Sequence, residues 1–261
     1  MGTIDIAKGA LQRARDSLLP APVVFHHVPK CGGTSVGRAI RRRYLLSQAT
    51  VKPEESYRAF AAFTGRSDRD AMLRDVLDLR EQMMLYHLFD GVRCLSLHVR
   101  FSEAAFDRFG EYYRFVTLLR DPVDRFVSHY FWSFGREGAH ARIEEDFETF
   151  LGTARARRLG AIYAEYFSGL PSDTDFATDR AVTAAIANLD RFAVVGRLDR
   201  VDLFERDLGR AVGARIRIGH ENRMRQPEAA RSAVATPEAM ARVRALCAPD
   251  LAIWESRFGQ G

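Results

Sequence analysis

Six consecutive residues, Lys30-Cys31-Gly32-Gly33-Thr34-Ser35, join a cation, two glycines and two hydroxyls shortly after the apolar run Val23-Val24-Phe25, with His26-His27-Val28-Pro29 between. Glycines let backbone N–H groups approach an anion closely. A helix opening near Thr34 adds its positive end. Lys30 supplies a full charge, and Thr34 and Ser35 supply hydroxyl donors. Together these types suit the holding of a phosphate-like anion at a strand-to-helix turn. Two better-known anion loops do not fit. The Walker pattern needs lysine immediately before the hydroxyl, and here it precedes the glycines. Cys31 and Arg38 are separated by six residues, one too many for a cysteine-phosphatase loop. A plain strand-to-helix corner would also accept these residues.

A second stretch has related properties. Residues 114–132 read RFVTLLRDPVDRFVSHYFW. Arg120 ends an apolar run. Asp121 is placed to cap a helix with Pro122 at its first position, and the helix carries Arg125, Ser128 and Tyr130. Ser128 lies seven residues past Asp121, two turns along, so it shares a face with the helix start. Arg120 and Ser128 are placed to clamp a second phosphate. Two charge-assisted hydrogen bonds of roughly 1.5–3 kcal/mol each would favour a ligand bearing that phosphate by about 10²–10⁴-fold. His98 ends another apolar run, where a histidine is often a satisfied structural group. His26 and His27 lie just before the loop proline; strand alternation points them to opposite faces, so one of them can face the anion loop.

The elements around these residues alternate. Strands are expected over 21–27, 93–99, 114–120 and 191–196, with a short last one over 215–218. Helices are expected over 34–46, 68–79, 102–109, 122–134, 199–212 and 236–258. Residues 47–67 and 219–235 read as loops, and 137–190 as irregular helix. Short apolar strands between helices predict an α/β fold, a central parallel sheet covered on both faces in three layers. In such sheets ligands sit at the carboxyl ends of the strands.

The chain has 261 residues, 47% hydrophobic and 28% charged, which suits a single domain over 1–261. Residues 1–20 are expected to form a helical extension, from the spacing of Ile6, Leu11, Ala14 and Leu18. The net charge of +5 fits an acidic ligand. The clusters Arg41-Arg42-Arg43 and Arg155-Arg157-Arg158 read as solvated helix faces, and no nucleic-acid partner is expected. Three scattered cysteines argue against a disulfide framework or a zinc site. With no signal peptide and no apolar run of membrane-spanning length, and with much Ala and Arg, a bacterial cytoplasmic protein is expected.

The two anion segments resemble the two nucleotide-binding motifs of sulfotransferases that use 3′-phosphoadenosine 5′-phosphosulfate (PAPS). The first of these typically reads Pro-Lys-Thr-Gly-Gly-Thr-Ser and grips the 5′-phosphosulfate. This chain has Pro29, Lys30, Gly32, Gly33, Thr34 and Ser35 in place, with Cys31 where threonine is usual. The second reads Arg-Asp-Pro-x-x-Arg-x-x-Ser-x-Tyr and grips the 3′-phosphate; it is matched at Arg120, Asp121, Pro122, Arg125, Ser128 and Tyr130. The segment around SLHVRF is similar to the carbohydrate branch, in particular to the heparan and dermatan uronyl 2-O-sulfotransferases.

The resemblance implies a P-loop NTPase-like sulfotransferase fold, PAPS as donor with the bisphosphate PAP as product, no metal, and a glycan or glycosylated small molecule as the hydroxyl acceptor. It implies His98 as the base, Lys30 at the leaving oxygen, and backbone N–H groups of 31–35 around the 5′-phosphate. It also makes Asn222 and Arg225, in the segment HENRMRQ, contacts to the 3′-phosphate. Those relatives often carry a second histidine two residues before the base; this chain has Ser96. Two rival readings are a nucleotide-dependent kinase, which would want a Walker lysine and a carboxylate pair for magnesium, and a non-catalytic nucleotide-binding module.

Overall fold

The four apolar runs become strands in a computed structural model that describes residues 19–135, 142–219 and 236–259. Strand β1 is Val23–His26, β3 Cys94–Leu97, β4 Arg114–Leu119 and β5 Val194–Arg197, and a short β2, Gln48–Ala49, joins them. All neighbours are parallel, in the order β2-β3-β1-β4-β5. Every residue of β1 and β3 is buried, the pattern of parallel strands covered on both faces.

Alternation along β1 divides the core. Val23 and Phe25, with Val116 and Leu118 of β4, pack against helix α1 (Gly33–Arg41) through Val36 and Ile40. Much farther along the chain, α10 (Val201–Val212) adds Phe204 and Leu208 to the same layer. Val24 faces the other way, with Leu95, Leu97 and Phe115. That layer is closed by α3 (Arg69–Phe89), α4 (Glu103–Phe109), α8 (Ile162–Phe167), α9 (Asp179–Asp190) and α12 (Ala248–Phe258). A further apolar cluster joins α5 (Pro122–Ser133), α6 (Phe147–Phe150), α7 (Ala154–Gly160) and α11 (Pro237–Leu246). This is the expected three-layer α/β arrangement.

The strand order fixes where a ligand can sit. From β1 the chain moves to β2 and β3 on one side; from β4 it moves to β5 on the other. The carboxyl ends of β1 and β4 therefore flank a topological switch point, where neighbouring connections diverge and leave a crevice. The two candidate anion elements are the loops that leave those two strands.

Several expected boundaries differ. Residues 47–67, read as loop, contain β2 and the helix α2 (Pro53–Thr64), which has proline at its start, two acids in its first turn and Gly65 as its left-handed C-cap. Helix α3 runs to Phe89 rather than 79. The helix after the anion loop stops at Arg41. Residues 215–218 form no strand. The last helix is divided at Cys247, because Pro249 fits only the first turn of a new helix. The N-terminal extension through residue 18, together with Asn222 and Arg225, lies outside the described residues. Among the described residues no helix is long and apolar enough to cross a membrane.

Candidate active site

The loop after β1 owes its shape to two left-handed residues, Lys30 at φ 68° and Gly32 at φ 73°. Such alternation turns successive N–H groups toward one concave side. Glycine adopts this conformation freely; a lysine does so at a cost of about 1–2 kcal/mol. Lys30 is the one non-glycine among the described residues with positive φ, and backbone strain of this kind concentrates at functional sites. Helix α1 then begins with no side-chain cap and no acid in its first turn, so its leading N–H groups have no intrahelical acceptor. Gly32 and Thr34 are exposed there, and Ser35 is half-buried. The Lys30 ammonium stands 5.2 Å from the centre of the Trp132 ring on α5. The cation of the first element is thus held over the helix of the second.

Cys31 turns inward. It is buried, its sulfur lies 3.5 Å from the Tyr163 hydroxyl, and burial raises its thiol pKa. Its N–H, expected among the anion donors, is directed to the Val28 carbonyl at 3.4 Å. The uncapped N–H groups of α1 are better placed for an anion.

The second element leaves β4 at Arg120. Asp121 caps α5, accepting from the Asp124 N–H at 3.0 Å, with Pro122 in the first turn. Arg120 keeps a half-buried side chain whose Nη2 lies 3.9 Å from Asp124. Ser128 is half-buried two turns along the helix. Arg125 has a different position: it is fully buried, donates to the Leu159 carbonyl, and pairs with the equally buried Asp250 at 3.6 Å. Tyr130 is likewise buried and donates to the Glu145 carbonyl. Four of the six motif residues, Asp121, Pro122, Arg125 and Tyr130, therefore build the corner, and Arg120 and Ser128 stay half-buried.

Tyr163 of α8 joins the two elements. Its hydroxyl accepts from the Arg120 N–H at 3.0 Å, donates to the Arg120 carbonyl, and touches Cys31. Its own N–H is held by Asp250 at 2.8 Å. Neither Tyr163, Trp132 nor Asp250 stands out in the sequence. Each acts across a long chain separation, and nothing in its immediate neighbours marks it.

The histidines separate as alternation requires. His26 enters the core among Phe115, Phe167 and Phe192, with Nδ1 3.0 Å from the Val99 carbonyl oxygen, and burial pushes its pKa down to about 4. His27 takes the opposite face. Its ring centre is 3.9 Å from that of His98, and burial, with nearby Arg41, pushes it down to about 4. Ser96 accepts from Arg41 at 3.0 Å. The arginines at 157 and 158 are engaged with Asp175 and Glu165.

Comparison with known proteins accords with this arrangement. The family model described as Sulfotransferase family matches residues 21–166. A search of curated proteins finds no match. The matched span begins just before β1 and reaches Tyr166 in α8, and it includes both anion elements, His98 and Tyr163. Covering more than half of the 261 residues, it shows that the chain belongs to the sulfotransferase family.

Proposed function

We propose that the protein transfers a sulfuryl group from PAPS to a hydroxyl of a carbohydrate acceptor. The observation that supports this reading is that the two candidate anion elements leave the carboxyl ends of the adjacent strands β1 and β4, across the switch point of the sheet. A ligand with phosphate-type groups at both ends suits such a pair.

The residues present fit that donor. The left-handed Lys30 and Gly32 lead into the uncapped start of α1, whose N–H groups suit the 5′ end. Arg120 and Ser128 are the groups for the 3′-phosphate. When bound, the donor supplies an activated sulfuryl group on a phosphate leaving group. Lys30 neutralises charge that develops on the departing oxygen, and a fixed cation there acts without reorganisation. His98 accepts the proton of the attacking hydroxyl, a role worth about 10²–10⁴-fold. Support for this role comes from its place just after β3 and from its ring contact with His27, which precedes the loop. The carbohydrate acceptor is supported by the likeness of the His98 segment to uronyl 2-O-sulfotransferases.

The test is to incubate the protein with PAPS and a panel of sugars and glycosides, following release of adenosine 3′,5′-bisphosphate. Acceptor-dependent release that is lost in His98→Ala supports the reading. Release that no sugar stimulates, while simple alcohols or phenols do, would remove the carbohydrate part.

A further inference from the structure

Gly33 has no left-handed φ, so its glycine needs another explanation, and His27 supplies one. A Cβ built at position 33 would lie 1.8 Å from Cδ2 and 2.2 Å from Nε2 of the His27 ring. Real Cβ atoms never come that close to another heavy atom. The edge of the imidazole therefore occupies the space a side chain would need, in direct contact with the first residue of α1. The same ring lies against His98, centre to centre at 3.9 Å and tilted by 37°. It also stacks on Phe25 at 5.8 Å. Its backbone N–H donates to the Leu97 carbonyl at 2.7 Å, which ties it to the strand that carries His98. Arg41 is the charged group that acts on it, and the His98 ring is the titratable group in contact with it.

We infer that His27 is a positioning residue, a single ring that sets the distance between the base His98 and the donor loop at Gly33. The inference rests on the donor and base assignments above. A base must meet a reacting group held on a separate element. A displacement of about 1 Å between such groups can lower turnover by about 10²-fold, and groups of this kind need a rigid supporting shell. His27 connects the two by contact rather than through a flexible chain. It also accounts for a glycine that the anion alone does not demand.

The experiment combines four proteins, His27→Ala, His27→Phe, Gly33→Ala and the double variant His27→Ala/Gly33→Ala, with wild type as reference. Calorimetric titration with adenosine 3′,5′-bisphosphate reads the donor site, bisphosphate release from PAPS reads turnover, and thermal unfolding reads the fold. His27→Ala is expected to keep bisphosphate affinity within about 3-fold while turnover falls by about 10²-fold. His27→Phe, which keeps a ring in place, should recover most of that loss. Gly33→Ala should lower the melting temperature, and removing the His27 ring in the double variant should restore part of it, the signature of direct coupling.

Unchanged turnover in His27→Ala overturns the inference. So does a folded His27→Phe as impaired as the alanine variant, since the imidazole would then act through its nitrogens. Additive melting shifts also overturn it. If wild type binds no bisphosphate, the donor assignment fails and the inference with it. If wild type binds and His27→Ala turns over normally, only the inference fails.

Discussion

The sulfur of Cys31 lies 3.5 Å from the hydroxyl of Tyr163, and that same hydroxyl holds both the N–H and the carbonyl of Arg120. One phenol thus connects the two loops that leave β1 and β4. In a doubly wound sheet these loops have independent backbones, and their separation sets which ligand lengths can bridge them. A side chain that contacts both fixes that separation before any ligand arrives, which lowers the ordering cost of binding.

Tyr163→Phe tests this connection. The ring still fits, but the Arg120 N–H and carbonyl lose their partner, at a cost of about 1–3 kcal/mol. Urea unfolding should show that loss. Bisphosphate titration should show weaker binding, although residue 163 is assigned no contact with the ligand. Unchanged affinity would mean that the two loops are positioned independently.

The buried pair behind Tyr163 predicts a pH dependence. Asp250 accepts from the N–H groups of Tyr163 and Ala164 at 2.8 and 3.2 Å and faces Arg125. Burial outweighs these partners and pushes its carboxyl up to about 7. Its unfolded value is about 3.9, so the folded state binds the proton more tightly. The contribution of this group to stability is complete below about pH 4 and is lost as pH rises through the folded value. Urea unfolding at pH 5 and pH 8 should show wild type losing more stability than Asp250→Asn over that interval. Arg125→Ala at pH 8 strands a buried carboxylate and should cost about 3–5 kcal/mol. Equal pH slopes in wild type and Asp250→Asn would contradict the assignment.

The strain at Lys30 makes a paired substitution informative. Lys30→Ala and Lys30→Gly both remove the ammonium, and both should lower turnover by about 10²-fold or more, the scale for loss of one preorganised stabilising group. They differ at φ 68°, which glycine adopts at no steric cost. Lys30→Gly should therefore unfold at a higher temperature than Lys30→Ala, by the equivalent of about 1 kcal/mol. Equal melting temperatures would place the loop in another conformation in solution.

Much of the layout was legible because local signals agreed with the global fold. Val23-Val24-Phe25 and Phe115-Val116 read as buried strands, and the Asp121-Pro122 start of α5 was plain from capping chemistry. Lys30, the glycines and Arg120 stand out by type and spacing. Helix α2 was missed although Pro53, Glu54, Glu55 and Gly65 marked its ends; its weak apolar face hid it. Arg125 illustrates a different limit. It is matched as part of the second motif without a role, and only the fold reveals that it is buried against Asp250, distant in sequence. His27 lay between these cases: alternation placed it on one face, but its contacts with His98 and Gly33 required the packing of α1 on the sheet.

The central claim is that the loops after β1 and β4 form one site for a nucleotide carrying a 3′-phosphate. Calorimetric titration of wild type and Arg120→Ala with adenosine 3′,5′-bisphosphate, ADP and ATP tests it most directly. Wild type should bind the bisphosphate about 10²-fold or more tightly than ADP or ATP, and Arg120→Ala should lose most of that preference, as expected for charge-assisted hydrogen bonds. ATP binding as tight as the bisphosphate, or an unaltered preference in Arg120→Ala, would contradict the account.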